Sequence, residues 1–422
     1  MSAAPGRTSF ARNAWGLIAG NLVSALMVLA RNILIARMIS VEDFGIASTF
    51  AIAITLIETG TNLALDRMVV RDPLGGRRTF MAALHSIQLM RGVLGAFVIM
   101  VFAPLYASVM GVPDLTWAYL ILAAVPLVRA ASHLDMFRAQ RGFAFGPFLK
   151  ATLLSHGASL VAALPLAIWL PDFRVMLAAV ILQQLVFVIM SHRAAASRYR
   201  LLWDPMILRK SLRFGLPLLL NGIVMFATLN GDQMLVGSFL GMETLGWFAV
   251  AFSLTLLPAT IAANTLQSLL LPGLSRLRRH SAAERVQVRR ILAITAATGA
   301  TLVIGLAVAG PFAIDLLYGP RYHEAAQIIP LLALLQGLRL LKAGPAIIAI
   351  ARGQTIDPLI ANLPRLASVP CACLLLGAGG DVMTVINVAL AGEALCVLTA
   401  LLLLGLRGAA RPAILGRELR HG

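Results

Sequence analysis

Apolar runs of about 20 residues recur with little interruption along this chain of 422 residues. A run of that length crosses the hydrocarbon core of a bilayer as one helix. Hydrophobic residues make up 59% of the chain, charged residues only 13%, and the mean hydropathy is +0.87, which excludes a soluble globular protein. We therefore predict an all-α integral membrane protein with about twelve transmembrane helices.

Twelve windows of the sequence fit such helices. The first six lie near residues 14–36, 44–64, 81–108, 116–137, 148–170 and 175–191, and the second six near 214–238, 247–271, 291–317, 326–350, 358–376 and 384–406. The N-terminal segment is interpreted as a lead into the first retained helix and not as a cleaved signal peptide.

Basic residues are concentrated in the connections that follow even-numbered spans and in the C-terminal tail. They include Arg77, Arg78, Arg138, Arg198, Arg200, Arg278, Arg279, Arg411, Arg417 and Arg420. The connections after odd-numbered spans hold only Arg37, Arg174 and Arg321, together with several acids. By the positive-inside rule, both termini are predicted to be cytoplasmic. Because this placement accounts for most of the net charge of +17, we do not expect a nucleic-acid partner.

The two halves of the sequence resemble each other. Gly45 in ARMISVEDFGIAS aligns with Gly246 in GSFLGMETLGWFA, and Pro147 in QRGFAFGPFLKA aligns with Pro358 in ARGQTIDPLIAN. A duplicated six-helix unit inserts the same way up twice, so we predict two parallel lobes, 1–191 and 214–422, around a central cavity. Residues 192–213 are predicted to form a basic cytoplasmic linker, interpreted as a tether on anionic lipid.

Ionisable residues inside the spans are costly and usually face a cavity or a partner. They are net positive: Arg31, Arg91, Arg129, Arg339, Lys342 and Arg365 against Glu58, Asp232, Asp315 and Glu393. Several continue polar stripes at helical spacing, such as Gln336, Arg339 and Lys342.

This excess predicts a water-filled cationic cavity for an anionic substrate, such as a pyrophosphate or an acidic sugar, which arginine recognises well. The predicted substrate-binding residues are Arg31, Arg91, Arg339 and Lys342. The predicted charge partners, or coupling sites for H⁺ or Na⁺, are Asp232, Glu58 and Glu393.

The alternative is that these charges serve the structure alone. Arg31 and Asp232 occupy equivalent positions of the repeat and could form a salt bridge. Arg129, Glu58 and Arg365 lie nearer the cytoplasmic ends of their spans, where snorkelling to the interface is the simpler explanation.

No motif indicates covalent chemistry. A phosphate-cradling GxxxxGK[ST] loop is absent from the sequence, so ATP hydrolysis is not expected. His85, His133 and His156 have no metal-ligand partners at a suitable spacing and are interpreted as packing or polar-face residues. We therefore expect neither an enzyme nor a bound metal or cofactor.

Three segments carry a family resemblance: LARNILIARMISVEDFGIASTFAIAITLIETG (29–60), FGLPLLLNGIVMFATLNGDQMLVGSFLGMETLGWFAVA (214–251) and LLYGPRYHEAAQIIPLLAL (316–334). Together they resemble the polysaccharide exporters and O-antigen-type flippases, in the superfamily that includes multidrug and toxic compound extrusion proteins. The resemblance implies a bacterial inner-membrane protein that flips an undecaprenyl-pyrophosphate-linked oligosaccharide for O-antigen, capsule or exopolysaccharide assembly. A polysaccharide polymerase and glycosyltransferases are the protein partners expected.

Two other functions stay open at this point. One is an ion-coupled exporter of small amphiphiles or drugs, which would need a buried carboxylate such as Asp232, Glu58 or Glu393. The other is a membrane-embedded sugar ligase or polymerase, which the short outer connections disfavour.

Overall fold

A computed structural model describes residues 7–275, 277, 281–354 and 356–409, with side chains described at residue 16 and from 18 to 406 within these ranges. Some basic residues on which the predicted orientation depends lie outside the described residues. They are Arg278, Arg279, Arg411, Arg417 and Arg420.

The described residues form fifteen α-helices, three 3-10 turns and no β-strand, so the prediction of an all-helical chain is confirmed. The helices are α1 Arg7–Met38, α2 Val41–Gly60, α3 Leu65–Arg71, α4 Arg78–Val109, α5 Thr116–Leu122, α6 Ala124–Ala130, α7 Asp135–Gln140, α8 Gly146–Trp169, α9 Arg174–Arg193, α10 Pro205–Leu240, α11 Met242–Ser275, α12 Ala282–Leu317, α13 His323–Ala351, α14 Asp357–Gly377 and α15 Val382–Ala409. Ten helices in the described ranges are long and apolar enough to cross a membrane, and α2 with α3, bent by 43°, makes an eleventh candidate.

Many large apolar side chains face outward in this fold, while several charged side chains are buried. Val161, Val308 and Leu374 are each 77% exposed, whereas Arg365 and Glu393 are fully buried. This distribution is the reverse of that in a soluble protein, because lipid solvates the apolar surface and polar groups must find partners inside. The chain is a multi-pass membrane protein.

Several helix starts are set by capping side chains. Ser40 Oγ accepts a hydrogen bond of 3.0 Å from the Asp43 N–H at the start of α2, and Ser281 Oγ accepts one of 3.1 Å from the Glu284 N–H at the start of α12. Each acidic residue in the first turn also favours the positive end of the helix dipole. The same local signals therefore fix where these two spans begin.

The predicted fourth span, 116–137, is not one helix. The chain divides it into α5, α6 and the start of α7, with a break at residues 131–134. The prediction of one continuous helix was wrong here. Because Ser132, His133 and Leu134 are buried, other groups must bond the backbone that the helix leaves free at this break.

Side chains of α4 supply those bonds. His85 Nε2 accepts the Leu134 N–H at 3.2 Å, and Gln88 Nε2 donates to the Ala130 carbonyl at 2.9 Å. The rings of His85 and His133 lie 4.7 Å apart, edge to face. Both histidines are buried, hydrogen-bonded residues that stabilise the break, in agreement with their interpretation as packing or polar-face residues.

The described residues divide into two compact units. The first contains residues up to Asn230 together with Gly241–Gly246, and the second contains Gly231–Leu240 together with the residues from Trp247 onward. In the first unit α8 packs against α9 and α1, and α4 packs against α5 and α6. In the second unit α12 packs against α13, and α15 packs against α13 and α14. The predicted lobe bounds, 1–191 and 214–422, stay a prediction.

Helix starts follow the sequence repeat. α2 begins at Val41 and α11 at Met242, which reproduces the offset of 201 residues between Gly45 and Gly246. α8 and α14 both begin one residue before a proline of the aligned pair, Pro147 and Pro358. Proline is favoured in the first turn of a helix, so the repeated proline marks equivalent helix starts.

Candidate functional site

Ionisable side chains from four helices of the second unit form one buried cluster. They are Asp232 on α10, Arg339 and Lys342 on α13, Arg365 on α14 and Glu393 on α15. Asp232 forms an ion pair with Arg365, and Glu393 forms one with Lys342. Glu393 Oε2 also lies 3.6 Å from Arg339 Nε and 3.9 Å from Arg365 Nε. Three cations therefore share two carboxylates.

A polar stripe on α14 completes the cluster. Asn362, Arg365 and Ser368 follow one another at a spacing of three residues, so they share a face of the helix. Asn362 Oδ1 accepts a hydrogen bond of 2.7 Å from Lys342 Nζ, and Ser368 Oγ accepts one of 2.5 Å from Arg365 Nη1. The expectation that Arg365 snorkels to the interface was wrong, because its side chain is fully buried among these partners.

Small residues bring α10 and α15 close to α14. Gly231 precedes Asp232, and a Cβ there would lie 2.9 Å from Val369 Cγ2. Gly392 precedes Glu393, and a Cβ there would lie 2.9 Å from Ser368 Oγ. The glycine before each acid thus permits close helix packing, which brings the acid next to α14.

Two of the three cations of the cluster, Arg339 and Lys342, lie nearer to open space than its acids. Arg339 and Lys342 line a cavity of about 210 Å³, and their side chains are 13% and 15% exposed. The side chains of Glu393 and Asp232 are 0% and 3% exposed and lie outside the lining. Asp357, in the first turn of α14, is the acidic residue of the lining, and most other positions are alanine, proline or leucine. A ligand in this cavity would meet an ammonium and a guanidinium before it met either buried acid.

The first unit holds a second polar cavity, of about 260 Å³. Its lining includes Glu58, Asp66, Arg91 and Arg129, so two acids and two bases face the same space. The Arg129 guanidinium lies over the Phe187 ring, with Cζ 4.1 Å from the ring centroid, a cation–π contact that fixes its orientation. Arg91 and Glu58, which the sequence assigned to different roles, share one cavity.

Arg31 is a member of neither cavity lining and lies among α1, α8 and α9. It is 7% exposed, and its Nη1 donates to Gln183 Oε1 at 2.8 Å and to Ser159 Oγ at 3.1 Å. Its remaining hydrogen bonds go to Asn32 Oδ1. Asp232, which the repeat suggested as its ion-pair partner, pairs with Arg365.

The structure therefore brings the predicted residues together in part. Asp232, Arg339, Lys342 and Glu393 meet in one cluster, and Arg91 meets Glu58 in another place. Their roles in binding or ion coupling stay predictions. Within the described ranges, no group of three or more His, Cys, Asp or Glu is placed to hold a metal ion. The cluster offers guanidinium and ammonium donors to an anion, and two carboxylates able to take up a proton or a cation.

Solved structures of transport proteins share this fold. An inward-facing multidrug resistance MATE family transporter of the MOP superfamily matches with a TM-score of 0.70 at 16% identity, over 92% of this chain and 95% of that one. The lipid II flippase MurJ, in an inward closed conformation, matches with a TM-score of 0.73 at 14% identity, over 92% and 87%. The chain accordingly has the fold of these membrane transport proteins.

Two relatives by sequence take part in polysaccharide biosynthesis. The chain is 23% identical to the teichuronic acid biosynthesis protein TuaB of Bacillus subtilis over 295 residues, 68% of this chain and 59% of that protein. It is 25% identical to the amylovoran biosynthesis protein AmsL of Erwinia amylovora over 149 residues, 34% of this chain and 37% of that protein. The matches thus span about three fifths and just over one third of the relatives' own lengths. Residues 34–327, more than half of the chain, match the family described as polysaccharide biosynthesis protein, and the chain belongs to that family.

Proposed function

We propose that this protein flips an anionic, lipid-linked oligosaccharide across the bacterial inner membrane by alternating access. The lipid carrier is undecaprenyl pyrophosphate, and the product serves O-antigen, capsule or exopolysaccharide assembly. The observation that carries the proposal is the cationic lining formed by Arg339 and Lys342, in front of the buried acids Glu393 and Asp232.

Charge complementarity favours a phosphate-bearing substrate. The cluster contains three cations and two acids, and the cavity lining itself carries two cations, Arg339 and Lys342, against one acid, Asp357. Arg339 presents a planar fork that suits pyrophosphate oxygens, and Lys342 supplies a point charge beside it. A cationic drug would be repelled by the same lining, while a pyrophosphate headgroup would be held as its lipid tail stays in the bilayer.

The relatives support the same class of substrate. Both curated relatives are named for the biosynthesis of a polymer, and one structural neighbour is a flippase of lipid II. A polysaccharide polymerase and glycosyltransferases are the partners that such a pathway requires. We further propose cytoplasmic N- and C-termini, from the basic residues that follow even-numbered spans in the sequence.

A second candidate function is ion-coupled export of small amphiphiles. The fully buried Glu393 and nearly buried Asp232 favour it, because a carboxylate at membrane depth can bind H⁺ or Na⁺. The MATE-like fold accommodates this function as well. A drug-susceptibility panel on cells that overproduce the protein separates the two, since only the exporter should raise resistance.

The direct test replaces the cationic lining in the native host. R339Q/K342Q keeps polar side chains of similar length and leaves Arg365 beside Glu393. We expect surface polysaccharide to fall sharply, because losing two charge-assisted contacts costs about 3 kcal/mol, on the order of a hundredfold in headgroup affinity. The matched control, R289Q/R290Q, removes two exposed arginines from α12 and should leave output unchanged. Normal polysaccharide at normal protein level in R339Q/K342Q would refute the proposal.

A further inference from the structure

The connection between α9 and α10, residues 194–204, is bound to the first unit by hydrogen bonds to its backbone. Asp135 Oδ2 accepts the Ala196 N–H at 2.7 Å and the Ser197 N–H at 3.2 Å. Ser86 Oγ accepts the Leu202 N–H at 2.9 Å. The connection is therefore held against the first unit by its backbone. The interpretation of residues 192–213 as a basic tether accounts for their charge but not for these hydrogen bonds.

His85 adds a fourth anchor between these bonds. Its Nε2 accepts the Leu134 N–H, and a backbone N–H can only donate, so the ring proton lies on Nδ1. Nδ1 lies 3.3 Å from the carbonyl oxygen of Arg200 and donates to it. The backbone at Arg200 is thus held in place while its side chain is exposed.

These anchors place two arginines of the connection beside two arginines of neighbouring helices. Arg198 and Arg200 share a cavity of about 340 Å³ with Arg78, the first residue of α4, and Arg138 on α7. The remaining lining residues are uncharged or histidine. Arg138 is paired with Asp135, with Nε 2.5 Å from Oδ1. In the part of the chain that the structure describes, the other three arginine side chains form no ion pair.

Arg78, Arg198 and Arg200 bring three guanidinium groups without an ion pair to one cavity, and these repel one another unless an anion lies between them. The anchors hold the two arginines of the connection there through backbone bonds and not through counterions, so the site is preorganised for a ligand of negative charge. The first turn of α4 adds unpaired N–H groups and the positive end of a 32-residue helix. Guanidinium groups match phosphate oxygens in pairs, which makes phosphate the anion of choice.

The length of α4 predicts that the cavity lies at a membrane surface. α4 has 32 residues and is about 48 Å long, which exceeds the hydrocarbon thickness of about 30 Å, so its first residues reach the headgroup region. Basic pockets beside transmembrane helices at this depth bind lipid headgroups.

We propose that the cavity lined by Arg78, Arg138, Arg198 and Arg200 is a binding site for the phosphate group of a membrane lipid, separate from the charged cluster of the second unit. The phosphate belongs either to an anionic phospholipid or to a polyprenyl pyrophosphate. The proposal does not depend on the proposed flipping function.

The test measures lipid binding to the purified full-length protein in detergent by native mass spectrometry. The probes are dioleoylphosphatidylglycerol, undecaprenyl diphosphate and, as the zwitterionic comparison, dioleoylphosphatidylcholine. We expect R78Q/R198Q/R200Q to weaken binding of the phosphatidylglycerol or the diphosphate by about tenfold or more, while phosphatidylcholine binding is unchanged. The control R285Q/R289Q/R290Q removes three exposed arginines from α12 and should leave all three affinities intact.

A variant that keeps the charge guards against misfolding as the cause. R198K/R200K retains two cations and every backbone anchor but loses the paired guanidinium donors, so its affinity for the anionic lipids should fall less than that of R78Q/R198Q/R200Q. Preference for undecaprenyl diphosphate assigns the site to the lipid carrier, and equal affinity assigns it to phospholipid in general. Equal losses in the two triple variants, or no loss in R78Q/R198Q/R200Q, would overturn the proposal.

Discussion

Removing the Arg365 cation should unfold the second unit more readily than any change at the cavity lining. Arg365 is fully buried, pairs with Asp232 and lies 3.9 Å from a carboxylate oxygen of Glu393. Arg365→Met keeps an unbranched chain of similar volume but deletes the charge. Asp232, only 3% exposed, then has no cation in direct contact within the described residues.

The size of the effect follows from these distances. At 3.9 Å and an effective dielectric constant of about 20, the attraction between Arg365 and Glu393 alone is about 4 kcal/mol. Breaking a buried ion pair by removing one partner costs about 3–5 kcal/mol, because the remaining charge stays buried without compensation. Replacing both partners is far milder, so D232N/R365M should lie within about 1–2 kcal/mol of the parent.

Cys396 provides the assay, because it is fully buried and lies three residues after Glu393 on α15. In a C371A/C373A background it is the single thiol of the chain, and a maleimide dye reaches it only when the packing around α15 opens. If opening and closing are fast relative to labelling, the labelling rate follows the open population. A loss of about 3–5 kcal/mol should then accelerate labelling by on the order of 10²–10³-fold.

Two comparisons decide whether the ion pair is the cause. R365K keeps a cation and should fall between the parent and R365M. D232N/R365M should restore labelling to within about tenfold of the parent. Unchanged labelling in R365M, or labelling in the double variant as fast as in R365M, would show that the pair does not stabilise the buried cluster.

Three further predictions concern packing, pH and capping. Gly392→Val should slow surface polysaccharide output and lower the unfolding temperature, because its Cβ would meet α14, whereas Gly405→Val on the same helix, with open space around it, should do neither. Burial alone would raise the pKa of Asp72, but hydrogen bonds from Lys210 and a backbone N–H hold that pKa below its usual value. The ionised Asp72 therefore stabilises the folded protein fully above pH about 4, and this stabilisation is lost as the pH falls through the lowered pKa. D72N should flatten that acid limb in thermal unfolding between pH 3 and pH 7. Ser40→Ala should lower the free energy of unfolding by about 1 kcal/mol, since α2 loses its N-cap, and Ser40→Thr should retain most of it.

The sequence predicted helix positions well because burial in lipid leaves a local signal. A run of apolar residues as long as α8 or α15 has no other stable structure in a bilayer, so composition alone specifies it. The break at 131–134 carries no such signal. It depends on His85 and Gln88, which lie more than 40 residues earlier in the chain and bond the free backbone groups.

The cluster shows the same limit for charged residues. The polar stripe of α13, with Arg339 and Lys342, was evident from its spacing in the sequence. The same spacing could have identified the polar stripe on α14, which consists of Asn362, Arg365 and Ser368. The position of Arg365 near the end of its span favoured snorkelling. The structure instead pairs Arg365 with Asp232, which lies 133 residues away in the sequence. Which acid meets which base is decided by helix packing, and a single sequence does not encode that pairing in any local pattern.

In the second unit, the cations that line the cavity differ from the cation that pairs with the buried Asp232. Anion binding and the stability of the fold therefore depend on different residues. An anion that enters the cavity competes with Glu393 for Arg339 and Lys342, which are partly exposed. It does not reach Arg365, which stays paired with Asp232 and 3.9 Å from Glu393. Binding can therefore replace the contacts of Arg339 and Lys342 with Glu393 without leaving a buried acid unpaired. Leaving such an acid unpaired would cost about 3–5 kcal/mol. On this reasoning, substitutions of Arg339 and Lys342 should act on transport, and those of Arg365 on the fold.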